Sequence, residues 1–356
     1  MLWILRAIGA AGLLCQISGF KCEPNRTVDD LFHGKSITTV VHLQQRGDGM
    51  GAVMQSIIYL AAYVRFRGWS FGEINRHVAD RPHPHGVQKG LFFDFLFPNI
   101  SQMGPAVHSE MKMDKVHLPN SSMLNLVETQ PNTFYEVNSD VFDLDRIARE
   151  NHSTLDQYLN SDFRELARSV STCSVRKELD ANSVYKGKKW EALRVVAHVR
   201  RGDIISHADR YIPDNYFIGV LKAIRDIYPL AELHVFSHND KLTNDNSAVW
   251  NQYLENGIGV HIANENHQSN TADTITAIAH FMTADVFMMS KSSFSSVPAY
   301  YNPNCVLYTP FWHDPLSHWI SLPSNFSVDS AADILKSQLP ACVAGLRHSI
   351  FSGDMP

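Results

Sequence analysis

Apolar runs of strand length alternate with stretches of helical periodicity along this chain. The rhythm is clearest after Trp190, where residues 193–199, 233–236, 259–262, 286–289 and 306–308 read as buried strands. Between them, residues 214–227 space their apolar positions along one helical face, and Asp214 stands where an N-cap belongs. Residues 273–283 and 294–301 carry helical patterns as well. Apolar strands alternating with helices predict a parallel sheet covered on both faces.

The first third opens in the same way. Residues 38–43 form a buried-strand pattern, Gly47, Gly49 and Gly51 make a turn, and residues 52–67 continue as an apolar helix. Strand, glycine turn and helix are the opening unit of a nucleotide-binding α/β domain. The middle, from about residue 69 to 187, is less regular. It holds an apolar run at 91–97, a strand pattern at 133–137, and polar helical patterns between 154 and 179. The polar run at 186–189 is the best boundary. The expected organisation is therefore α/β, with one Rossmann-like domain over 37–188 and a second over 189–345.

Residues 1–20 stand apart. They are apolar except for Arg6, Gln16 and a few small residues, with an uninterrupted stretch at 7–15. A spanning helix needs about 20 apolar residues and a signal-peptide core about 7–15. The segment reads as a targeting sequence, either cleaved near Gly19 or kept as a short type II membrane anchor. Asn-X-Ser/Thr sequons at Asn25, Asn99, Asn120, Asn151 and Asn325 fit a secretory lumen, Golgi or endoplasmic reticulum. Beyond Cys15, Cys22, Cys173, Cys305 and Cys342 allow two disulfides in three connectivities, and none has Cys-X-X-Cys spacing. The formal charge of −5 gives no basic excess that would point to nucleic acid. A protein of this charge that holds an anionic ligand must gather its Arg residues locally.

Such a gathering occurs in Val196-Ala-His-Val-Arg-Arg-Gly-Asp203, where an apolar strand gives way to a loop. Ligands of doubly wound sheets bind at the carboxyl ends of strands. An unpaired buried charge is costly, so adjacent Arg residues here need partners. A diphosphate suits them, because a guanidinium bonds two phosphate oxygens at once. The two-residue strand period puts His198 on the same face as Arg200, and Asp203 is placed to orient a guanidinium. The competing reading is a structural Arg–Asp pair that caps the strand. Arg201-Gly-Asp203 also fits the integrin tripeptide, but a strand end presents it poorly.

His-X-Arg-Arg-Gly-Asp resembles the donor-binding motif shared by the α1,2-, α1,6- and protein O-fucosyltransferases. The segment Gly47-Asp-Gly-Met-Gly-Ala-Val-Met-Gln-Ser-Ile-Ile-Tyr59 resembles the N-terminal glycine turn and helix of those enzymes. Met282-Thr-Ala-Asp-Val-Phe-Met-Met-Ser-Lys-Ser-Ser-Phe-Ser295 resembles their C-terminal motif, and Val235-Phe-Ser237 is similar too. The resemblance runs from about Val40 to Tyr301, the middle third excepted. This chain has Gly49-Met-Gly51 where the α1,2 enzymes usually carry Gly-Asn-Gln, and Gln55 near the position of a helical His in the α1,6 enzymes.

The resemblance implies a GT-B architecture, two Rossmann-like domains facing across a cleft, with the donor held mainly by the second. It implies inverting transfer of fucose from GDP-fucose to a glycan or protein acceptor, without a metal or other cofactor. Arg200 matches the catalytic Arg that meets the β-phosphate, with His198 and Arg201 supporting the donor site. Ser292, Ser293 and Phe294 would offer hydroxyls and backbone N–H groups at a helix N-terminus, although ordinary N-capping explains the two serines equally well. Gly47, Gly49 and Gly51 would let the first domain's backbone approach the ligand. Asp203 or Asp209 would serve as general base, unless the departing phosphate takes the proton. Two other readings stay open, a transferase of another nucleotide sugar and a non-catalytic carbohydrate-binding protein.

Other features are weaker. Asp143-Leu-Asp145 fits the Asp-X-Asp of metal-dependent glycosyltransferases, but the helical pattern after it makes helix N-terminal acids the better reading. His83 and His85 have no third metal ligand nearby in sequence. The aromatic cluster Phe311-Trp-His313 with His318 and Trp319 reads as packed side chains or as a sugar-stacking surface.

Overall fold

The computed structural model describes residues 39–44, 50–74, 94–97, 114–118, 133–138, 144–185, 192–201, 204, 209–238, 247–263 and 269–346. Residues 1–20, and with them the expected targeting segment, lie outside that set. Among the described residues no helix is long and apolar enough to cross a membrane.

Two parallel sheets organise the chain, one on each side of the expected boundary. The first has the order β2-β1-β4-β3, from β1 (Thr39–Gln44), β2 (Ser70–Ile74), β3 (Asp114–Leu118) and β4 (Thr133–Asn138). Between β1 and β2 runs α1 (Met50–Phe66). This helix is apolar on every side, and residues 53–64 are buried throughout, as expected of a helix enclosed by protein rather than laid on a surface. After β4 come α2 (Leu144–Glu150), α3 (Leu155–Tyr158) and α4 (Ser161–Asn182). The side chain of Asn160 caps α4 by accepting from the Phe163 N–H at 2.9 Å.

The second sheet contains β5 (Arg194–His198), β6 (Glu232–His238), β7 (Gly259–Ala263), β8 (Val286–Met288), β9 (Cys305–Tyr308) and β10 (Ile320–Ser321). Its order is β10-β9-β8-β5-β6-β7, all parallel. The chain starts in the middle at β5, winds outward to β6 and β7, returns to lie beside β5 as β8, and winds the other way. That is the doubly wound dinucleotide-binding topology, and its switch point lies between β5 and β8. The connecting helices are α5 (Asp214–Ile227), α6 (Ser247–Glu255), α7 (Ser269–Thr283), α8 (Ser293–Tyr301) and, after β10, α9 (Val328–Ala344). Pro213, not Asp214, stands at the N-cap of α5, and Asp214 occupies its first turn.

Strand alternation divides β5 and Val199, which follows it, between two cores. Val195, Ala197 and Val199 join Phe217, Leu221 and Leu335 under α5 and α9. Val196 faces the other way, into a core that also takes Met54 and Ile57 from α1, Phe281 from α7 and Tyr300 from α8. The second core therefore runs continuously through both halves of the chain. Cys305 on β9 is disulfide-bonded to Cys342 on α9, and Cys173 on α4 is disulfide-bonded as well.

Candidate functional site

The carboxyl ends of β5 and β8 bring two loops together at the switch point. His198 ends β5, and its ring is buried against the loop after β8. Its Nδ1 lies 2.5 Å from Ser295 Oγ and 3.0 Å from Ser290 Oγ. Burial first, then the nearby Arg200 and Arg201 charges, lowers the His198 pKa to about 3. The ring is neutral at any ordinary pH and works by shape and hydrogen bonding.

Arg200, two residues on and on the same face, is half-buried and donates from Nη1 to Ser292 Oγ at 3.1 Å. Ser292 is the N-cap of α8, and the same oxygen accepts the Phe294 N–H at 3.2 Å. The guanidinium is thus fixed beside a helix N-terminus, where backbone N–H groups and the helix dipole already favour an anion. Ser293 and Phe294, the first two residues of α8, are half-buried there.

Arg201 turns to the opposite face. Its Nη2 donates to Asp214 Oδ1 at 2.5 Å and to the Ile212 carbonyl at 3.1 Å, and its Nη1 donates to the Arg200 carbonyl at 2.7 Å. Its guanidinium also lies over the Tyr211 ring, 4.8 Å from the centroid. Asp214, read in the sequence as a helix cap, is instead the half-buried partner of the buried Arg201, and Tyr253 and Tyr211 donate to the same carboxylate at 2.6 and 3.3 Å.

Gly51, in the first turn of α1, completes the junction. A Cβ on it would lie 2.3 Å from the Phe294 backbone nitrogen and 2.6 Å from its Cα. Only glycine allows α1 to touch the first turn of α8 this closely. Two helix N-termini, one from each half, therefore converge beside Arg200. The turn residues Gly47 and Gly49, and Asp203, lie outside the described residues. Asp209 is exposed, and its carbonyl accepts from Lys291 Nζ at 3.1 Å.

Asp145, one of the two acids of the Asp-X-Asp sequence, is 1% exposed in the first turn of α2. Its Oδ2 accepts from Tyr59 OH at 3.1 Å and from His313 Nδ1 at 2.7 Å, and its Oδ1 accepts from the Asp314 N–H at 3.1 Å. The acid ties α2 to the loop after β9 and is helix N-terminal, as its sequence context implied. Sequence reasoning did not find this latch, because Asp145 and His313 are partners far apart in the chain. Nor did it give a role to Ser290 or Lys291, which differ from ordinary loop residues only in their company, and it quoted Ser295 only as the end of the C-terminal motif. Among the described residues, no three or more His, Cys, Asp or Glu are grouped to hold a metal ion.

Of the five sequons, Asn151 and Asn325 lie among the described residues, and both are exposed just outside helices. Asn325 Oδ1 accepts from the Ser327 N–H at 3.2 Å. Asn25, Asn99 and Asn120 lie outside, as do His83 and His85.

No protein-family model and no curated protein sequence matches this chain. Among solved structures it is similar to E. coli heptosyltransferase WaaC with ADP-2-deoxy-2-fluoro heptose. The identity is 12%, the match covers 85% of this chain and 99% of that one, and the TM-score is 0.37. A likeness this distant carries no inference about this chain.

Proposed function

We propose that this protein is a glycosyltransferase that takes a sugar from a nucleoside diphosphate, with GDP-fucose as donor and a glycan or glycoprotein as acceptor. The observation that carries the reading is Arg200. It stands at the switch point of a doubly wound sheet, hydrogen-bonded to the N-cap of α8 and beside the N-terminus of α1. The choice of fucose and of GDP comes from the resemblance in sequence.

In this reading the planar guanidinium of Arg200 meets two oxygens of the β-phosphate. The acceptor hydroxyl attacks the anomeric carbon from the face opposite the leaving group, so the configuration inverts. The carbon–oxygen bond to the phosphate breaks with both electrons going to GDP. Arg200 and the N–H groups of α8 stabilise that growing charge, the role a divalent metal plays in other transferases. The acceptor proton passes to Asp203, Asp209 or the departing phosphate. His198 and Ser295 hold the loop that carries Ser292, and Arg201 holds the chain between β5 and α5. The Cys305–Cys342 bridge and the exposed sequons suit an oxidising lumen.

The test is release of the nucleotide from GDP-fucose, GDP-mannose, UDP-glucose and UDP-N-acetylglucosamine by the purified glycoprotein, with and without excess chelator. Release of GDP from GDP-fucose, undiminished by chelator, is the expected result. Turnover of another donor would keep the transferase and change its sugar. Turnover of none, with glycans still bound, would leave a carbohydrate-binding protein.

A further inference from the structure

We propose that Trp312 and Arg210 form the platform for a neutral pyranose ring of the acceptor glycan, held in place by the buried Asp145–His313 pair. The proposal rests on the transferase reading above and names the part of that site which receives the acceptor.

Trp312 follows β9 at the same end of the sheet as Arg200. Two strand spacings separate β9 from β5 in the order β9-β8-β5, or about 10 Å across the sheet. The indole is 41% exposed, in contrast to Trp319 of the same aromatic cluster, which is buried and stacked on Tyr300. Arg210, reaching over from the loop after β5, lies 4.3 Å from the centroid of the Trp312 ring. A partly exposed tryptophan with a guanidinium over its ring thus stands in the loop after β9.

The indole is also held at its edge. Its Nε1–H donates to His313 Nε2 at 2.5 Å, and His313 Nδ1 donates to Asp145 at 2.7 Å. Tryptophan can only donate, so the imidazole is the neutral tautomer protonated on Nδ1. Both ring nitrogens are engaged, and His313 is a positioning residue rather than a base. The loop is pinned further along, where Ser317 donates from its N–H and its hydroxyl to Asp156 at 2.9 and 3.0 Å. Asp145 and Asp156 both belong to the helices after β4. These helices therefore fix the angle of an exposed ring that the core does not require.

A pyranose fits this arrangement. The C–H groups on one of its faces are apolar and slightly positive, and they complement the negative face of indole. Its hydroxyls accept from the guanidinium of Arg210, which offers five N–H donors. A ring seated there occupies the volume of the present guanidinium–indole contact, so Arg210 must swing outward as it enters.

The experiment measures binding of the full glycosylated chain, without nucleotide, to immobilised lactose, N-acetyllactosamine, N,N′-diacetylchitobiose and sialyllactose. The wild type should bind at least one neutral sugar, and Trp312→Ala should weaken that binding tenfold or more. Trp312→Phe should fall between them. His313→Gln, whose amide can donate to Asp145 and accept from the indole, should retain binding that His313→Ala loses. Circular dichroism and melting establish that each variant is folded. If Trp312→Ala is not folded, Trp312→Phe and Arg210→Ala decide. Binding to sialyllactose alone, to no sugar, or equally by wild type and Trp312→Ala would overturn the proposal. Calorimetry with GDP separates this from the donor reading. Trp312-dependent glycan binding without GDP binding would sink the donor assignment and leave the platform standing, whereas GDP binding with no role for Trp312 would sink the platform alone.

Discussion

At the scale of single residues, two adjacent arginines with the same chemistry have different fates. A strand sends consecutive side chains to opposite faces, so Arg200 reaches the loop after β8 while Arg201 is buried against Asp214. Their substitutions should separate cleanly. If Arg200 meets the β-phosphate, its contact strengthens as charge builds there. Loss of one such preorganised donor costs about 2.7–4 kcal/mol, a hundredfold to a thousandfold in rate. Arg200→Ala should lose that much turnover and stay folded, and Arg200→Lys should recover only part, having charge without the fork. Arg201→Ala should show the reverse emphasis. Among the described residues it leaves the Asp214 carboxylate with Tyr211 and Tyr253 as side-chain donors, and breaking a buried pair from one side costs about 3–5 kcal/mol of stability. Steady-state kinetics and urea melts on each variant read the two effects. Near-normal turnover in a folded Arg200→Ala protein would remove the motif from the active site.

At the scale of elements, the tightest constraint is the crossing of α1 on α8. Any side chain at residue 51 must push the two first turns apart, because the clash at 2.3 Å is with backbone and not with a flexible side-chain end. Gly51→Ala should lower the melting midpoint by an amount matching about 1–3 kcal/mol or more. It should also weaken GDP binding in calorimetry, since Ser292 and Phe294 move with the helix. A variant as stable as the wild type would mean that the helices separate without resistance.

The elements also show what could be read in advance. The strands anticipated from apolar runs, β1, β4, β5, β6, β7, β8 and β9, are observed, and α5 begins and ends where its periodicity placed it. The strands not anticipated are β2, β3 and β10, and each lies at the edge of its sheet. Edge strands are covered on fewer sides and carry polar residues, as in Ser-Phe-Gly-Glu-Ile and Asp-Lys-Val-His-Leu, so their alternation is faint. Helix α9 also escaped, with Pro340 inside it. The placement of Arg200 just past a strand end and of Ser292 and Ser293 at a helix start was legible because both are written in local sequence. The Arg201–Asp214 pair and the Asp145–His313 latch were not, because local patterns do not say which distant residue a charge will meet.

For the molecule as a whole, the bridge between β9 and α9 closes a loop with a sequence separation of 37 residues. Cys342→Ser should reduce stability by about 2–5 kcal/mol, chiefly by freeing the unfolded chain, and a urea midpoint equal to that of the wild type would refute a structural role. A second property of the whole is its response to acid. His198, His261 and His280 are held neutral in the fold. Burial is the largest cause for each, lowering their pKa values to about 3, about 4 and about 4. For His280 the hydrogen bonds agree, since Nδ1 donates to the Thr276 carbonyl at 2.7 Å and Nε2 accepts from the Val184 N–H at 3.1 Å. An imidazolium could not keep the second bond. The unfolded chain takes up protons at these positions below about pH 6.5, and the folded chain does not until about pH 3–4. The unfolded state therefore binds more protons throughout that window, and stability rises with pH across it. The contribution is complete above pH 6.5 and is lost as pH falls toward 4. By pH 5.5 each group should have cost on the order of 1 kcal/mol, somewhat less for the half-buried His261. Carboxylates titrate mostly below that point, so urea midpoints at pH 7.5, 6.5 and 5.5 isolate the histidines. The midpoint should fall between pH 6.5 and 5.5, and His280→Gln should flatten the slope. A midpoint independent of pH over this range would mean that these rings are not held neutral by the fold.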